Sequence, residues 1–281
     1  MKDLKIVFMG SDSFVVPVLK KLQENFEVVG VVTAPNSAIA QYVGTKILVF
    51  TPEKLDDEFH SVLLTLNSDL IVVSSYGKII PQEILDIPKF GALNVHPSLL
   101  PKYRGASPVP AAILAGDSKT GVTIIKMDEK MDHGPILITK SFSLTGKEIL
   151  PELINFLFQE GAKLLVTIIP DFASGKLKPK PQDHTKATFC KLLRKEDGFI
   201  DINTPPSPED LDRMTKAYFP WPGVWTTWNG KIVKFLPSSS HPELDSGSRQ
   251  FVVQMEGKKV TTFKDFLNGY PGFPLKALAS Q

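Results

Sequence analysis

The feature that most constrains this chain is the alternation at its start. Lys5–Met9, KIVFM, is a short run dominated by apolar residues. A run of that kind, closed by turn residues, suits a strand buried on both faces. Gly10-Ser11-Asp12-Ser13 closes it with turn and capping residues. Phe14–Asn25 then sets Leu19 and Leu22 on one side of an amphipathic helix, and Glu27–Thr33 is a second, Val-rich strand. A strand, a helix and a strand in this order imply a parallel pair joined by a crossover. Leu48–Phe50, Asp69–Ser74 and Gly91–Val95 continue the series, with helices expected at Lys54–Leu66 and a helical turn at Pro81–Leu85. The fold class is therefore α/β, with a mostly parallel sheet. The first turn carries one Gly and not GxGxxG, which argues against a dinucleotide.

In open α/β sheets ligands sit beyond the carboxyl ends of the strands. Gly10–Ser13, Ser75–Lys78 and His96–Pro101 all fall at such ends. The last of these belongs to Leu93–Gly105, LNVHPSLLPKYRG, the stretch richest in chemistry. Asn94 and His96 are two apart, so in an extended segment they share a face. An amide donor beside an imidazole suits acyl transfer, which needs a donor for a developing oxyanion and a group that handles protons near pH 7. Such a pair can also be two ordinary hydrogen-bonded polar residues. The rigid Pro-bounded loop that follows, and a later MDEKMDHGP stretch, favour the chemical reading. That stretch offers Asp128 and Asp132, either of which can orient an imidazole. The neighbouring His133 reads as a loop residue facing solvent.

Further along, Pro108–Ala115 reads as a helix, and Thr120–Met127 and Ile136–Phe142 as an antiparallel pair. Pro151–Ser174 is a strong helix whose apolar positions are Leu153, Phe156, Leu157, Leu164, Leu165 and Ile168, with its aromatics in the core. Lys176–Pro181 alternates Lys and Pro and marks a stiff boundary. The expected division is 1–174, a basic linker 175–204, and a small β domain 205–281. In the last, Val224–Trp228 and Lys231–Leu236 form a hairpin turning at Asn229-Gly230, a type I′ signal. Phe251–Met255 and Lys259–Thr262 form a second pair. Trp221, Trp225 and Trp228 are expected in the core of this domain and at its seam with the first.

Composition narrows the function. The 281 residues and 42% hydrophobic content suffice for a real core. No apolar run approaches the roughly 18 residues of a membrane span, and the start of the chain reads as a strand and not a signal peptide. The single cysteine, Cys190, excludes an intrachain disulfide and a Cys-based metal cluster, and points to the cytoplasm. Nothing local would activate it as a nucleophile. Net charge is only +2, but residues 175–195 hold seven basic side chains against one acidic. A polyanion crossing the boundary is one reading, and a solvated Lys-rich linker the other.

Together these motifs resemble the methionyl-tRNA formyltransferase family. The residues that carry the likeness are GSDSF at the first turn, YGKIIP at 76–81, NVHPSLLPKYRGASPV at 94–109, GVTIIKMDEKMDHGPIL at 121–137, LLRKEDGFID at 192–201, FPWPGVWTTWNGK at 219–231 and EGKKVTTFKDFLNGY at 256–270. The resemblance implies a Rossmann-like formyltransferase domain, a basic linker and a C-terminal barrel like an OB-fold. It implies 10-formyltetrahydrofolate as donor, the α-amino group of initiator Met-tRNA as acceptor, no metal, and a monomer. By motif match Asn94, His96 and Asp132 would be the catalytic trio. Ser98, Leu99, Leu100 and Pro101 would line the folate site, with Tyr76, Gly77, Lys78 and Ile79 nearby. Two departures stand out. The segment Ala34–Lys46 is short, with one basic residue where the family carries a longer basic loop. The C-terminal domain shows four strands where an OB-fold has five. Phosphate contact would then fall more on Lys176, Lys178, Lys180, Lys186, Lys258 and Lys259. A formyltransferase acting on a sugar amine, and a non-catalytic RNA-binding protein on the same scaffold, are the other two readings.

Overall fold

The computed structural model describes residues 3–244 and 252–275. Phe251, expected to begin a strand, lies outside them. The chain divides into two compact units. The first comprises Met1–Pro108, Lys119–Ser143 and Ile154–Cys190, and the second Val109–Ser118, Leu144–Leu153 and Lys191–Gln281. Of the basic stretch 175–204, residues 175–190 thus belong to the first unit and the remainder to the second.

The first unit is built in sequence order from β1 (Lys5–Met9), α1 (Val16–Asn25), β2 (Glu27–Val32), α2 (Ala38–Val43), β3 (Val49–Phe50), α3 (Asp57–Thr65), β4 (Leu70–Val73), α4 (Gln82–Leu85), β5 (Ala92–His96) and β6 (Arg104–Gly105). After a short helix α5 (Pro108–Leu114), which belongs to the second unit from Val109 onward, the first unit continues with β7 (Lys119–Lys126), β8 (Ile136–Ser143), α6 (Leu150–Ala173, in this unit from Ile154) and β9 (Phe189–Cys190). Seven strands form one sheet in the order β3-β2-β1-β4-β5-β7-β8. The five from β3 to β5 run parallel, and β7 and β8 are antiparallel additions. Strand order reverses between β1 and β4, where a doubly wound sheet opens a crevice. At that point Ser11 N–H donates to the Ser75 carbonyl at 3.1 Å, and the Ser75 hydroxyl donates to the Asp12 carboxylate.

The central strands are buried on both faces, as their composition requires. Ile6, Val7, Phe8 and Met9 of β1 are all fully buried, as are Ile71 and Val72 of β4. On one side Phe59, Leu63, Tyr76, Ile80 and Ile84 join Val7, Met9, Ile71 and Val73 in a core cluster. On α6, Leu157 and Leu165 are fully buried. Phe158 of this helix stacks on Phe14 at 5.2 Å. Phe156 is exposed instead, meeting Phe142 edge to face at 4.9 Å. By length and composition α6 alone among the described helices would suit a membrane span. Its buried face, and the contact of Gly161 with the sheet, mark the portion within the first unit as a core helix.

In the second unit α7 (Pro208–Ala217) starts with Ser207, whose hydroxyl accepts from Asp210 N–H, and with Pro208 in its first turn. The strands β10 (Val224–Trp228), β11 (Lys231–Leu236), β12 (Val252–Met255) and β13 (Thr261–Thr262) form one antiparallel sheet in that order, followed by α8 (Phe263–Gly269). The β10–β11 turn has Asn229 at φ 47° and Gly230 at φ 72°, the two left-handed residues of a type I′ hairpin. The tryptophans separate. Trp228 packs edge to face on Tyr270 and Phe273, while Trp225 meets Phe199 and donates its indole N–H to the Lys195 carbonyl. Trp221, expected with the other two in the core of this domain and at its seam, is 55% exposed and so is not a core residue. Clustering in sequence placed three aromatics together, but the two on β10 are partly buried while Trp221 is exposed.

Gly161 allows α6 to approach β5 and β7. A Cβ there would stand 2.6 Å from Val95 Cγ1 and 3.1 Å from Val122 Cγ1. Alanine gains about 1 kcal/mol of helix propensity, but overpacking a rigid Val contact costs about 1–3 kcal/mol. Gly161→Ala is therefore expected to lower the denaturant midpoint without changing the slope of the transition. A raised midpoint would show that helix and sheet are not in close contact.

Candidate active site

All three sequence-predicted catalytic residues lie in the first unit, and the structure brings them together. Asn94 and His96 are on β5, opposite Ile125 and Thr123 of β7, and Asn94 pairs with Val73 of β4. Their two-residue spacing puts both side chains toward the β7–β8 connection, which carries Asp132. Asn94 Nδ2 donates to Asp132 Oδ1 at 3.1 Å, and His96 Nδ1 lies 3.4 Å from the same oxygen. Asp132 Oδ2 accepts from Gly105 N–H at 2.8 Å. His96 is 4% exposed, and its Nε2 is 2.9 Å from the Tyr103 carbonyl. A carbonyl only accepts, so Nε2 carries the hydrogen, and Nδ1 is the nitrogen left to gain or lose a proton.

Asp128 forms a different pair. Its Oδ2 lies 2.7 Å from His133 Nδ1, and the His133 ring stacks flat on His184 at 4.1 Å. Asp128 therefore orients His133 and not His96. His133 is also not a residue that simply faces solvent: its side chain is only 31% exposed. Proximity in sequence to Asp132 gave no hint of a partner 51 positions away, because stacking across loops has no local pattern.

The proposed folate-lining stretch is held by one hydroxyl. Thr123 is fully buried; its Oγ1 donates to the Ser98 carbonyl at 2.7 Å and accepts from Leu100 N–H at 3.2 Å. Ser98 is fully buried as well, and its own hydroxyl donates to the Lys102 carbonyl at 2.8 Å. The Ser98 side chain is thus engaged internally. Leu100 is buried, and Leu99 and Pro101 are half-buried. Beyond β4, Tyr76 is buried, Gly77 and Lys78 are exposed, and Ile79 is 77% exposed. Lys78 Nζ donates to the carbonyls of Pro52 and Glu53 at 2.6 and 2.9 Å. Ser74 Oγ and Tyr76 OH are buried with no hydrogen-bond partner among the described residues. Burial pushes the Tyr76 phenol up to about 12, so it remains an O–H donor at neutral pH.

Cys190 is not poised for attack. Burial raises its thiol above the usual range, and its Sγ–H donates to the Arg104 carbonyl at 3.2 Å. Among the described residues no group of three His, Cys, Asp or Glu side chains is arranged to hold a metal. Residues that the sequence did not single out also serve the site. Thr123 lies within the motif at 121–137 but the resemblance gives it no role there, Gln182 has no motif at all, and Tyr103 and Gly105 contribute only backbone.

A carboxylate gathering an amide and an imidazole at a strand end, on a doubly wound sheet, is an acyl-transfer constellation. Residues 4–169 match the formyl transferase family and residues 192–249 its C-terminal domain, which defines the class as formyltransferase. The methionyl-tRNA formyltransferase of Roseiflexus sp. (strain RS-1) is 44% identical over 248 residues, spanning 83% of this chain and 76% of that protein. The chain belongs to the methionyl-tRNA formyltransferase family. Among solved structures, the methionyl-tRNA formyltransferase from Clostridium thermocellum shares the fold with a TM-score of 0.59 at 19% identity, covering 92% of this chain and 96% of its own. HypX from Aquifex aeolicus in complex with tetrahydrofolic acid shares it at 0.62 and 20% identity; 82% of this chain covers 37% of that longer protein.

Thr123→Val keeps the shape but strands a buried carbonyl and a buried N–H. Each unsatisfied group costs about 1–3 kcal/mol. A loss of at least about 2 kcal/mol is expected in urea denaturation. An unchanged midpoint would mean that Thr123 does not hold the Ser98–Leu100 backbone.

Proposed function

We propose that the chain transfers the formyl group of 10-formyltetrahydrofolate to the α-amino group of initiator Met-tRNA, with Asn94, His96 and Asp132 as the catalytic trio. The observation that carries this reading is the shared Asp132 Oδ1, within 3.1 Å of the Asn94 amide and 3.4 Å of His96 Nδ1. The reaction is acyl transfer to an amine in the cytoplasm, at the start of protein synthesis, and the chain acts as a monomer.

The residues fit a folate. Exposed Ile79 and half-buried Leu99 offer apolar surface, and the buried hydroxyls of Ser74 and Tyr76 have unmet polar demand. The donor supplies a formyl carbon on an arylamine nitrogen. Asn94 spends one amide N–H on Asp132 and keeps the other for the formyl oxygen, where negative charge develops. Losing one such donor typically costs roughly 10²–10³ in rate. His96, with its ring fixed through Nε2, takes the proton from the attacking amine at Nδ1 and returns it to the departing nitrogen. One carbon–nitrogen bond forms, one breaks, and no net proton is consumed by the enzyme. Asp132 Oδ1 faces Nδ1 and orients the ring. An α-amino group has a pKa around 7.7–8.0, so an appreciable fraction is a free nucleophile at pH 7. Lys176, Lys178, Lys180, Lys186, Lys258 and Lys259 supply phosphate contacts.

Asn94→Ala, His96→Ala and Asp132→Ala are each expected to lower turnover at least about a hundredfold with the fold intact by circular dichroism. Wild-type turnover in any one removes that residue from the trio. Met-tRNA should be formylated and a sugar amine should not, with tRNA affinity falling steeply as salt rises. Formylation of the sugar amine alone would overturn the acceptor assignment.

A further inference from the structure

Asp132 occupies the left-handed region at φ 48°, a costly conformation for a residue with a side chain. Something must hold it there with its carboxylate toward Asn94 and His96. Two peptide groups that follow its Cα are held by Gln182, whose Nε2 donates to the Asp132 carbonyl at 2.8 Å and to the Gly134 carbonyl at 2.7 Å. Gln182 Oε1 accepts from Arg104 Nη2 at 2.7 Å. Gln182 is 6% exposed and Arg104 3%. The orientation of this amide is chemically fixed. Its oxygen faces a guanidinium, which only donates, and its nitrogen faces two carbonyls, which only accept. Arg104 Nη2 also lies 2.8 Å from His184 Nδ1, and His184 is the ring stacked on His133. These contacts tie the 182–184 segment to residues 132–134 of the loop that carries Asp132.

We propose that Gln182 is a positioning residue for formyl transfer, clamping the backbone at Asp132 and Gly134 so that the Asp132 carboxylate meets Asn94 and His96. This rests on the reading of Asp132 as part of the catalytic trio. Among the described residues the Gln182 amide bonds only the carbonyls of that loop and the Arg104 guanidinium, so it acts through Asp132. The buried Arg104 serves to aim the amide, since its Nε makes no hydrogen bond among the described residues.

Gln182→Glu separates the two halves of the clamp. A carboxylate still meets Arg104, now as an ion pair, so the fold is retained. It cannot donate to the two carbonyls. The expected result is a fall in kcat of about ten- to a hundredfold, with KM for folate and for Met-tRNA within about twofold, since displacement of a catalytic group by about 1 Å can cost that much. In an Asp132→Asn background the same change should cost less than about threefold more, because coupled residues are not additive. Wild-type kcat in Gln182→Glu beside a slow Asp132→Asn overturns the clamp alone. A full fall that persists in the Asp132→Asn background also overturns it. Asp132→Asn as fast as the unaltered chain overturns both the trio and the clamp. If Gln182→Glu does not fold, Gln182→Asn, with the same amide one methylene short, is read against the same outcomes.

Discussion

The two oxygens of the Asp132 carboxylate hold the candidate active site together. One takes the Asn94 amide and faces His96 Nδ1, and the other takes the Gly105 N–H. A carboxylate can accept several hydrogen bonds at once, so a single side chain can fix groups brought by two different segments. Each segment is rigid for its own reason. Asn94 and His96 are on β5, paired on both sides by β4 and β7. Gly105 is on β6, paired with β9. At Gly105 the backbone has φ 113°, and a Cβ would fall 2.2 Å from the Cys190 carbonyl, so only glycine lets these two short strands meet.

That arrangement also explains where the chemistry sits in the sheet. A doubly wound sheet gathers its loops at the carboxyl ends of its strands, and those after β1 and β4 are tied together at the reversal of strand order. The β5 end lies beside β4. The β7–β8 connection leaves β7 beside Ala92 and Leu93, at the amino end of β5, and its Asp132, 36 positions beyond His96, still meets both Asn94 and the imidazole.

Much of this was legible in the residues. Strands buried on both faces announce themselves as unbroken Val and Ile runs, and Asn229-Gly230 announced its turn through the conformational freedom it needs. The period of two made Asn94 and His96 neighbours before any coordinates. Choosing Asp132 over Asp128 took a family resemblance, since both are placed to orient an imidazole and the structure gives each its own histidine. Gln182 left no trace. Its setting, KPKPQDH, reads as solvated linker, yet Lys180 exchanges backbone hydrogen bonds with Ile136 at 2.7 and 2.8 Å, extending the sheet by one bridge. Such edge pairing is decided by the register of distant segments, which composition does not encode. Trp221 erred the other way, because an aromatic cluster in sequence need not be one surface in space.

The most direct test of the carboxylate-centred site is the ring tautomer of His96, read by nitrogen-15 NMR and assigned by its loss in His96→Asn. Neutral His96 should carry its hydrogen on Nε2, held by the Tyr103 carbonyl, and its Nδ1 signal should move when Asp132 is replaced by Ala. A neutral ring protonated at Nδ1, or a spectrum indifferent to Asp132→Ala, would contradict the account.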